Sequence, residues 1–340
     1  MKPETRDKLA FDSKAVYYNP DPSTKSINAP LYLSNNFQYD EEIYQNIVEG
    51  ARITENIYGR CGNPNETLLQ EQVAMLENAD GCLALGSGMA AVATTCLALL
   101  RPGDHIVSDW TTYSSTHEMF DHRLTDFGIE TTFVDCNDIE AVKAAITEKT
   151  KIIYFETIAN PNMRVTAIPP LVKLARDNNL LVICDNTFAS PYVMRPLDWG
   201  VDIVVESATK FMGGHNDVLG GIIAIKKTNL PDDFLHDLRW GTHVKLGGVL
   251  SPFNAWMLLR GLQTLPVRLE RQCKTAMKLA LYLENHPAVQ KVHYPGLVSH
   301  PNHEIAKTQM PNYGAMLTFE VADGQLAIEV CDSLELCAFA

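Results

Sequence analysis

The sequence predicts an α/β fold with a seven-stranded, mostly parallel sheet. Seven short apolar runs lie between residues 82 and 225, and each has the length and composition of a buried strand. Amphipathic helical stretches, such as Asp138–Thr147 and Ile168–Asn178, separate most of these runs. Near-continuous apolar strands that alternate with helices are typical of a parallel sheet covered on both faces.

The predicted elements begin after a polar N-terminal segment. Residues 1–60 are rich in Asn, Tyr, Ser and Pro, so we expect an extended arm rather than a domain. Apolar residues at helical spacing from Leu68 to Leu76 predict a helix that ends near Asn78. The strands are then predicted at Cys82–Leu85, His105–Ser108, Thr131–Asp135, Ile152–Glu156, Leu181–Asp185, Ile203–Glu206 and Gly221–Ile225.

The pattern becomes helical beyond about Leu246. Helices are predicted at Pro252–Leu262 and Val267–Glu284, and the apolar run Ala315–Val321 predicts a strand of a smaller α/β domain. We therefore expect three parts in the chain. These are an N-terminal arm (1–60), a large domain (61–245) and a C-terminal domain (246–340).

The composition argues against several classes of protein. With 46% hydrophobic and 20% charged residues, the 340-residue chain is typical of a globular protein with a substantial core. A formal charge of −13 without a basic stretch argues against a nucleic-acid partner. We expect a cytoplasmic protein without a membrane partner, because no apolar run approaches the roughly 20 residues of a membrane span and no signal peptide is evident. Eight cysteines without a Cys-x-x-Cys pair predict reduced thiols and no metal site.

Two predicted strand ends bring an acid and an amine to one edge of the sheet. Asp185 ends one strand, and Lys210 follows the next one in the segment Ser207-Ala208-Thr209-Lys210. Such an Asp alone is often a helix cap and such a Lys is usually a surface charge, but ligands of parallel sheets bind at this edge. Pyridoxal phosphate (PLP) needs a lysine that holds it as a Schiff base and an acid that faces its pyridinium nitrogen. In extended chain the hydroxyls of Ser207 and Thr209 point the same way, which suits a phosphate.

A glycine turn allows a rival interpretation. The residues Gly86-Ser87-Gly88-Met89-Ala90-Ala91 follow the first strand and open a helix, whose N-terminus can bind phosphate. They also fit the dinucleotide fingerprint G-x-G-x-x-A, with Asp109 near the place of a ribose-binding acid, so an NAD-dependent dehydrogenase is the rival. The turn follows about 80 residues of arm and helix, and a dehydrogenase leaves Asp185 and Lys210 without a role, which favours PLP.

Longer motifs resemble one family of PLP enzymes, that of cysteine and methionine metabolism (trans-sulfuration). The resemblance runs from about Pro30 to the last residue and implies the aspartate aminotransferase-like fold, fold type I. The motifs are Tyr58-Gly59-Arg60-Cys61-Gly62-Asn63-Pro64, Ser87-Gly88-Met89, Arg101-Pro102-Gly103-Asp104, Asn160-Pro161-Asn162, Asp185-Asn186-Thr187-Phe188, Ser207-Ala208-Thr209-Lys210, Gly213-Gly214-His215-Asn216-Asp217 and Leu250-Ser251-Pro252.

The resemblance implies a role for each of nine residues. Lys210 would hold PLP and move protons, Asp185 would pair with the pyridinium nitrogen, and Tyr113 would stack on the ring and assist the leaving group. Tyr58 and Arg60 would reach into the phosphate site of a neighbouring subunit, so the active site would need a dimer, and a homotetramer of two such dimers is implied. The phosphate would be held by Gly88, Met89, Ser207 and Thr209.

The resemblance within the family is greatest to the methionine γ-lyase branch. It implies PLP-dependent γ-elimination on a sulfur-containing or related L-amino acid, which gives a 2-oxo acid, ammonia and the leaving group. Gly59 and Asn216 resemble cystathionine γ-synthases instead, and Ser115 stands where methionine γ-lyases often carry cysteine. The alternative is therefore γ-replacement on an O-acylhomoserine.

The last residues raise a further possibility. Family members normally continue beyond the position of Ala340, and that continuation carries the arginine that binds the substrate carboxylate. We therefore expect the C-terminal domain to be incomplete. A non-catalytic, shortened paralogue is the remote alternative.

Overall fold

One sheet of seven strands forms the centre of the fold. The computed structural model describes residues 8–17, 25–49 and 56–338. The strands are β1 (Gly81–Leu85), β2 (His105–Asp109), β3 (Glu130–Val134), β4 (Thr150–Glu156), β5 (Leu181–Asp185), β6 (Ile203–Glu206) and β7 (Gly221–Ile225). Their order is β1-β7-β6-β5-β4-β2-β3, and neighbours are parallel except where β7 pairs with β1 and β6. The predicted α/β fold with a mostly parallel sheet is confirmed, with all seven predicted strands.

Helices connect the strands and cover both faces of the sheet. The α-helices of the described residues are Phe11–Val16, Glu41–Glu49, Pro64–Glu77, Gly88–Leu99, Ser114–Glu118, Leu124–Asp126, Ile139–Ala145, Ile168–Asp177, Ser190–Val193, Phe234–Asp237, Val244–Leu246, Pro252–Leu262, Leu265–Glu284, His303–Gln309 and Gly324–Asp332. Shorter helical turns lie at Met119–Arg123, Pro196–Trp199, Lys227–Asn229 and Leu238–His243. None of the helices in the described ranges is long and apolar enough to cross a membrane.

Alternate residues of each central strand pack against opposite layers of helices. In β5, Val182 and Cys184 belong to one hydrophobic core, whereas Ile183 belongs to the other. The first core includes the inner face of the helix Pro64–Glu77, and the second includes that of Gly88–Leu99. Burying each large aliphatic side chain contributes roughly 1.5–3 kcal/mol. Because apolar residues lie on both faces of the central strands, the sheet is held between the two layers of helices. The positions of the strand ends are therefore fixed.

A second, two-stranded sheet lies in the C-terminal part of the chain. It pairs β8 (Lys291–His293) with β9 (Thr318–Glu320), and its core includes Ala276 and Ala280 of the long helix Leu265–Glu284 together with Tyr294. The strand predicted at residues 315–321 is therefore present but shorter. The strand β8 was not predicted, because three residues are too few to show an alternating pattern.

The N-terminal segment is not extended throughout. Among its described residues, Phe11–Val16 and Glu41–Glu49 are helical, and Asn36 forms an isolated bridge with Tyr58. The helix Glu41–Glu49 begins where the side chain of Asp40 accepts a hydrogen bond from the N–H of Ile43 (3.0 Å). This is the usual N-terminal cap. The spacing of Ile43, Tyr44, Ile47 and Val48 is helical, so this helix could have been predicted from the sequence.

Candidate active site

The carboxyl ends of β4, β5 and β6 lie side by side and carry polar residues. Parallel pairing places Glu156 of β4 beside Asp185 of β5, and Asp185 beside Val205 of β6. Since β6 ends at Glu206, the segment 207–210 leaves the sheet at this same edge. Ligands of open α/β sheets bind at this edge.

A cavity of about 310 Å³ opens here, which is at the lower end of the range for small-molecule sites. Seven of the nine predicted site residues line it, and Tyr58 and Arg60 do not. The seven are Gly88, Met89, Tyr113, Asp185, Ser207, Thr209 and Lys210. The other lining residues are Ser87, Val92, Thr116, Glu156, Ile158, Asn160, Thr187, Phe188 and Leu219. The structure thus brings the predicted amine, acid, phenol and glycine turn to one cavity.

The glycine turn packs closely against the strand ends opposite it. A Cβ at Gly88 would lie 2.8 Å from Cβ of Ser207, and a Cβ at Gly221 would lie 1.9 Å from the carbonyl oxygen of Ser87. Ser87 caps the helix Gly88–Leu99, because its Oγ accepts a hydrogen bond from the N–H of Ala90 (3.1 Å). Gly88 and Met89 at the start of this helix line the cavity together with Ser207, and a helix N-terminus is a site that can bind a phosphate.

The carboxyl group of Asp185 is held in place at the floor of the cavity. Its Oδ1 accepts a hydrogen bond from the N–H of Thr187 (2.9 Å). Burial raises the pKa of Asp185, although its hydrogen bonds from Thr187 oppose the rise. A cationic ring nitrogen beside this carboxylate would offset the penalty of burial, so the residue fits a pyridinium partner.

The segment from Ser207 to Lys210 is a turn, and our prediction of extended chain was wrong. The N–H of Lys210 donates to the carbonyl oxygen of Ser207 (3.1 Å), and the N–H of Ser207 donates to Oγ1 of Thr187 (2.8 Å). The hydroxyl of Thr209 donates to the carbonyl oxygen of Gly220 (3.3 Å) and accepts from its N–H (3.1 Å). Ser207 and Thr209 still share the cavity wall, but the hydroxyl of Thr209 also anchors the turn.

Two buried carboxyl groups position Tyr113. The N–H of Tyr113 donates to Oε1 of Glu156, and Oδ1 of Asp109 accepts from the N–H of Thr111 (2.8 Å) in the same loop. Oδ2 of Asp109 also accepts from the N–H of Cys136 (3.0 Å). The phenol of Tyr113, whose side chain is partly exposed, is thus presented to the cavity by a fixed backbone.

Glu156 is the site residue that sequence reasoning missed. It is buried, and burial raises the pKa of its carboxyl group well above the ordinary value, with the negative charge of Asp185 as the next cause. The signal was available, because Glu156 ends an apolar strand just as Asp185 does. The sequence predicts Glu156 as the last residue of the strand Ile152–Glu156, and we assigned no role to it.

Tyr58 and Arg60 lie outside the cavity of their own chain. The guanidinium of Arg60 lies over the ring of Tyr58, 5.5 Å from its centroid, and Nη1 donates to the carbonyl oxygen of Val244 (2.9 Å). Tyr58 is 43% exposed. The structure therefore keeps these two residues together at the surface, separate from the other seven.

The sheet order excludes the dehydrogenase interpretation. A dinucleotide site needs the strand that ends in the ribose-binding acid to lie beside the strand before the glycine turn. Here β1 and β2 are separated by β7, β6, β5 and β4. Asp109, at the end of β2, is buried and holds the loop of Tyr113, so it cannot serve a nucleotide at Gly88.

Comparison with known proteins assigns the chain to a family of enzymes. The profile of the family described as Cys/Met metabolism PLP-dependent enzyme matches residues 13–340, and the chain belongs to this family. L-methionine gamma-lyase of Fusobacterium nucleatum is 41% identical over 92% of this chain and 78% of the relative. Cystathionine beta-lyase MetC of Bacillus subtilis is 44% identical over 83% of this chain and 71% of the relative.

Solved structures agree in fold. The crystal structure of metB from Corynebacterium glutamicum has a TM-score of 0.91 and 37% identity, covering 98% of this chain and 85% of that one. A putative O-acetylhomoserine (thiol)-lyase from Campylobacter jejuni has a TM-score of 0.93 and 28% identity, covering 98% of this chain and 90% of that one. That structure contains an N'-pyridoxyl-lysine-5'-monophosphate residue. The cofactor of this family is PLP, and the amine, the buried acid and the capped helix N-terminus of the cavity fit it.

Proposed function

We propose that the protein is a PLP-dependent carbon–sulfur lyase that catalyses γ-elimination on L-methionine or a related L-amino acid. The reaction consumes one molecule of water. The products are a 2-oxo acid, ammonia and the γ-leaving group, which is a thiol when the substrate is methionine. The observation that carries the proposal is the single cavity lined by Lys210, Asp185 and Tyr113 in a chain 41% identical to an L-methionine gamma-lyase.

The cavity residues divide into those that hold the cofactor and those that move protons. Nζ of Lys210 would bind PLP covalently, Asp185 would pair with the ring nitrogen, and Tyr113 would stack on the ring. The phosphate would lie at the helix N-terminus, held by Gly88, Met89, Ser207 and Thr209. Bound PLP supplies an electron sink for negative charge at the substrate α-carbon.

Proton transfer would fall to two side chains. Nζ of Lys210 would take the α-proton of the substrate and return a proton later, since it lines the same cavity as the acid that fixes the ring. The hydroxyl of Tyr113 would donate a proton to the departing γ-group. Ile158, Phe188 and Leu219 give that cavity apolar walls, which suit a thioether.

The second candidate is γ-replacement on an O-acylhomoserine. It is favoured by the likeness to the Campylobacter jejuni thiol-lyase, which covers 98% of this chain. Ser115, two residues after Tyr113, stands where methionine γ-lyases often carry cysteine, which also fits this candidate. The two reactions differ only in whether a thiol adds before the product leaves.

The division of the chain and its assembly are also part of the proposal. We propose that the parts are an arm (1–60), a PLP-binding domain (61–245) and a C-terminal domain (246–340). The arm would deliver Tyr58 and Arg60 to the phosphate site of a second copy, within a homotetramer of two such dimers. Two observations support this. Both residues lie at the surface, away from the cavity of their own chain. In addition, the guanidinium group of an arginine can bind a phosphate through two N–H groups at once.

A reducing compartment such as the cytoplasm suits the thiols. All eight cysteines are free, and five of them are buried. Burial raises the pKa of Cys82, Cys96 and Cys184, so these thiols stay protonated and unreactive. We therefore propose a cytoplasmic location.

The decisive experiment combines spectroscopy with product analysis. We expect the purified protein with PLP to show a visible band that borohydride abolishes, with the label mapped to Lys210. Incubation with L-methionine should then release a 2-oxo acid and a thiol in equal amounts, whereas O-acetylhomoserine with a thiol should react more slowly. A Lys210→Ala variant should lose at least about 100-fold in turnover. A replacement product formed faster than the 2-oxo acid would favour the second candidate.

A further inference from the structure

Two carboxylic acids lie buried directly behind the cavity. Glu77 is the last residue of the helix Pro64–Glu77, and Glu206 is the last residue of β6, one position before Ser207. Their exposed fractions are 0% and 2%. Among the described residues, neither forms an ion pair with a lysine, arginine or histidine.

Both carboxyl groups meet at one amide. Nδ2 of Asn186 lies within hydrogen-bond distance of Oε1 of Glu206 (2.9 Å), Oε1 of Glu77 (3.2 Å) and the carbonyl oxygen of Met194 (2.9 Å), so its two N–H groups are shared among three acceptors. Oδ1 of Asn186 accepts from the hydroxyl of Thr157 (2.8 Å). Asn186 is fully buried and directly follows Asp185. The acids therefore connect the strand end that carries Asp185 to the strand end that leads to Lys210.

Two adjacent buried carboxylates cannot both be ionised, because burial and mutual repulsion disfavour the second charge. Within the described part of the chain, Oε2 of Glu77 is buried and accepts no hydrogen bond from an N–H or hydroxyl group. A proton on Glu206 supplies the missing donor, since its O–H can donate to the carboxylate of Glu77. With this proton the pair bears one negative charge, and without it the oxygens of the two acids repel one another.

We propose that Glu77 and Glu206 share one proton, and that this acid pair positions Asp185 and the Ser207–Lys210 turn for PLP. Neither acid touches the cavity, so both are positioning residues that act through Asn186 and Ser207. The inference rests on the proposed cofactor site and not on which reaction follows. Losing the shared proton at alkaline pH separates the two strand ends and weakens PLP binding.

The surrounding groups favour retention of the proton. Asp185 of β5 and Asp198 of the turn Pro196–Trp199 add negative charge near the pair, whereas Arg195 adds positive charge near Glu77. The thiols of Cys82 on β1 and Cys184 on β5 face the pair, and burial raises the pKa of each thiol, so they stay neutral. Burial also raises the pKa of Glu77 to about 7 and that of Glu206 well above its ordinary value.

The test compares Glu206→Gln with Glu206→Ala across pH. The amide N–H of a glutamine donates to Glu77 at every pH, whereas alanine removes the bond at every pH. We expect the Kd for PLP of the wild-type protein to rise about tenfold or more from neutral to alkaline pH. The Kd of the glutamine variant should stay within about threefold of its neutral value. The alanine variant should bind at least about tenfold more weakly throughout.

A control variant and a second measurement distinguish failure of this proposal from failure of the proposed function. Glu66 lies on the same helix and is as deeply buried, but it pairs with Gln70 away from the cavity, so Glu66→Gln should keep the wild-type rise in Kd. Unfolding of the cofactor-free protein should show the same loss from neutral to alkaline pH for wild type and not for Glu206→Gln. A glutamine variant that keeps the wild-type alkaline loss in both measurements would overturn the proposal. Normal PLP binding without γ-elimination would count against the proposed function alone.

Discussion

Gly88 lies where any side chain would collide with the opposite strand end. A Cβ there would approach Cβ of Ser207 to 2.8 Å and its Cα to 3.1 Å, and the backbone atom cannot move without moving the turn that carries Lys210. We expect Gly88→Ala to reduce stability by about 1–3 kcal/mol and to weaken PLP binding by at least about tenfold. Gly241→Ala is the control, because nothing lies within 4 Å of its added Cβ. Equal Kd values for PLP in the two variants, measured by titration of the visible band, would contradict this account.

Glu156 acts on Tyr113 through a backbone bond rather than through its charge. Burial raises the pKa of its carboxyl group well above the ordinary value, so we expect a neutral acid whose oxygen accepts the N–H of Tyr113. Glu156→Gln preserves that acceptor and should keep kcat within about threefold of wild type. Glu156→Ala leaves the N–H of Tyr113 unpaired and should lower kcat about 10- to 100-fold at full PLP occupancy. Similar kcat values for the two variants would show that the bond does not position Tyr113.

At the scale of single elements, substitutions of two serine helix caps can distinguish an effect on stability from an effect on cofactor binding. Ser87 and Ser251 each begin a helix, and each Oγ accepts from the N–H three residues later at 3.1 Å. Removing either cap should cost about 1 kcal/mol of unfolding free energy. Only the helix after Ser87 opens at the cavity, so Ser87→Ala should also raise the Kd for PLP about fivefold, the equivalent of about 1 kcal/mol. If Ser251→Ala weakens PLP binding equally, the effect is one of general stability.

The elements that could be predicted from the sequence are those whose pattern is local. Strands such as Leu181–Asp185 are apolar on both faces, because each face is buried, and that run can be recognised without knowledge of its neighbours. The same local pattern placed Asp185 at the cavity edge. The turn after β6 was mispredicted as extended because its bonds come from Thr187 and Gly220, 20 and 11 residues away from the atoms that they contact. Glu156 ends an apolar strand as Asp185 does, so its place at this edge was predictable, but its bond to Tyr113, 43 residues away, was not.

At the scale of the whole molecule, buried ionisable groups set the pH dependence of stability. Burial raises the pKa of Glu66 and of Glu77 to about 7, above the ordinary value of 4.5. The folded state therefore holds more protons than the unfolded state between these values, and stability falls as the pH rises through that window. Burial lowers the pKa of His300 from 6.5 to about 4, so this one group has the opposite effect over nearly the same window.

The pKa values of Glu156 and Glu206 are also raised by burial, so at least four acids outweigh His300. The folded state should therefore hold more than one extra proton between about pH 4.5 and about pH 7. We expect the unfolding free energy of the cofactor-free protein to decrease by at least about 1.4 kcal/mol per pH unit there, measured by urea denaturation at fixed ionic strength. Glu66→Gln removes one acid that lies away from the cavity. It should reduce the slope of unfolding free energy against pH by the equivalent of about one proton. A His300→Gln variant should steepen it by the same amount. Stability that rises steadily with pH across this window in all three proteins would contradict the assignment of raised pKa values to the buried acids.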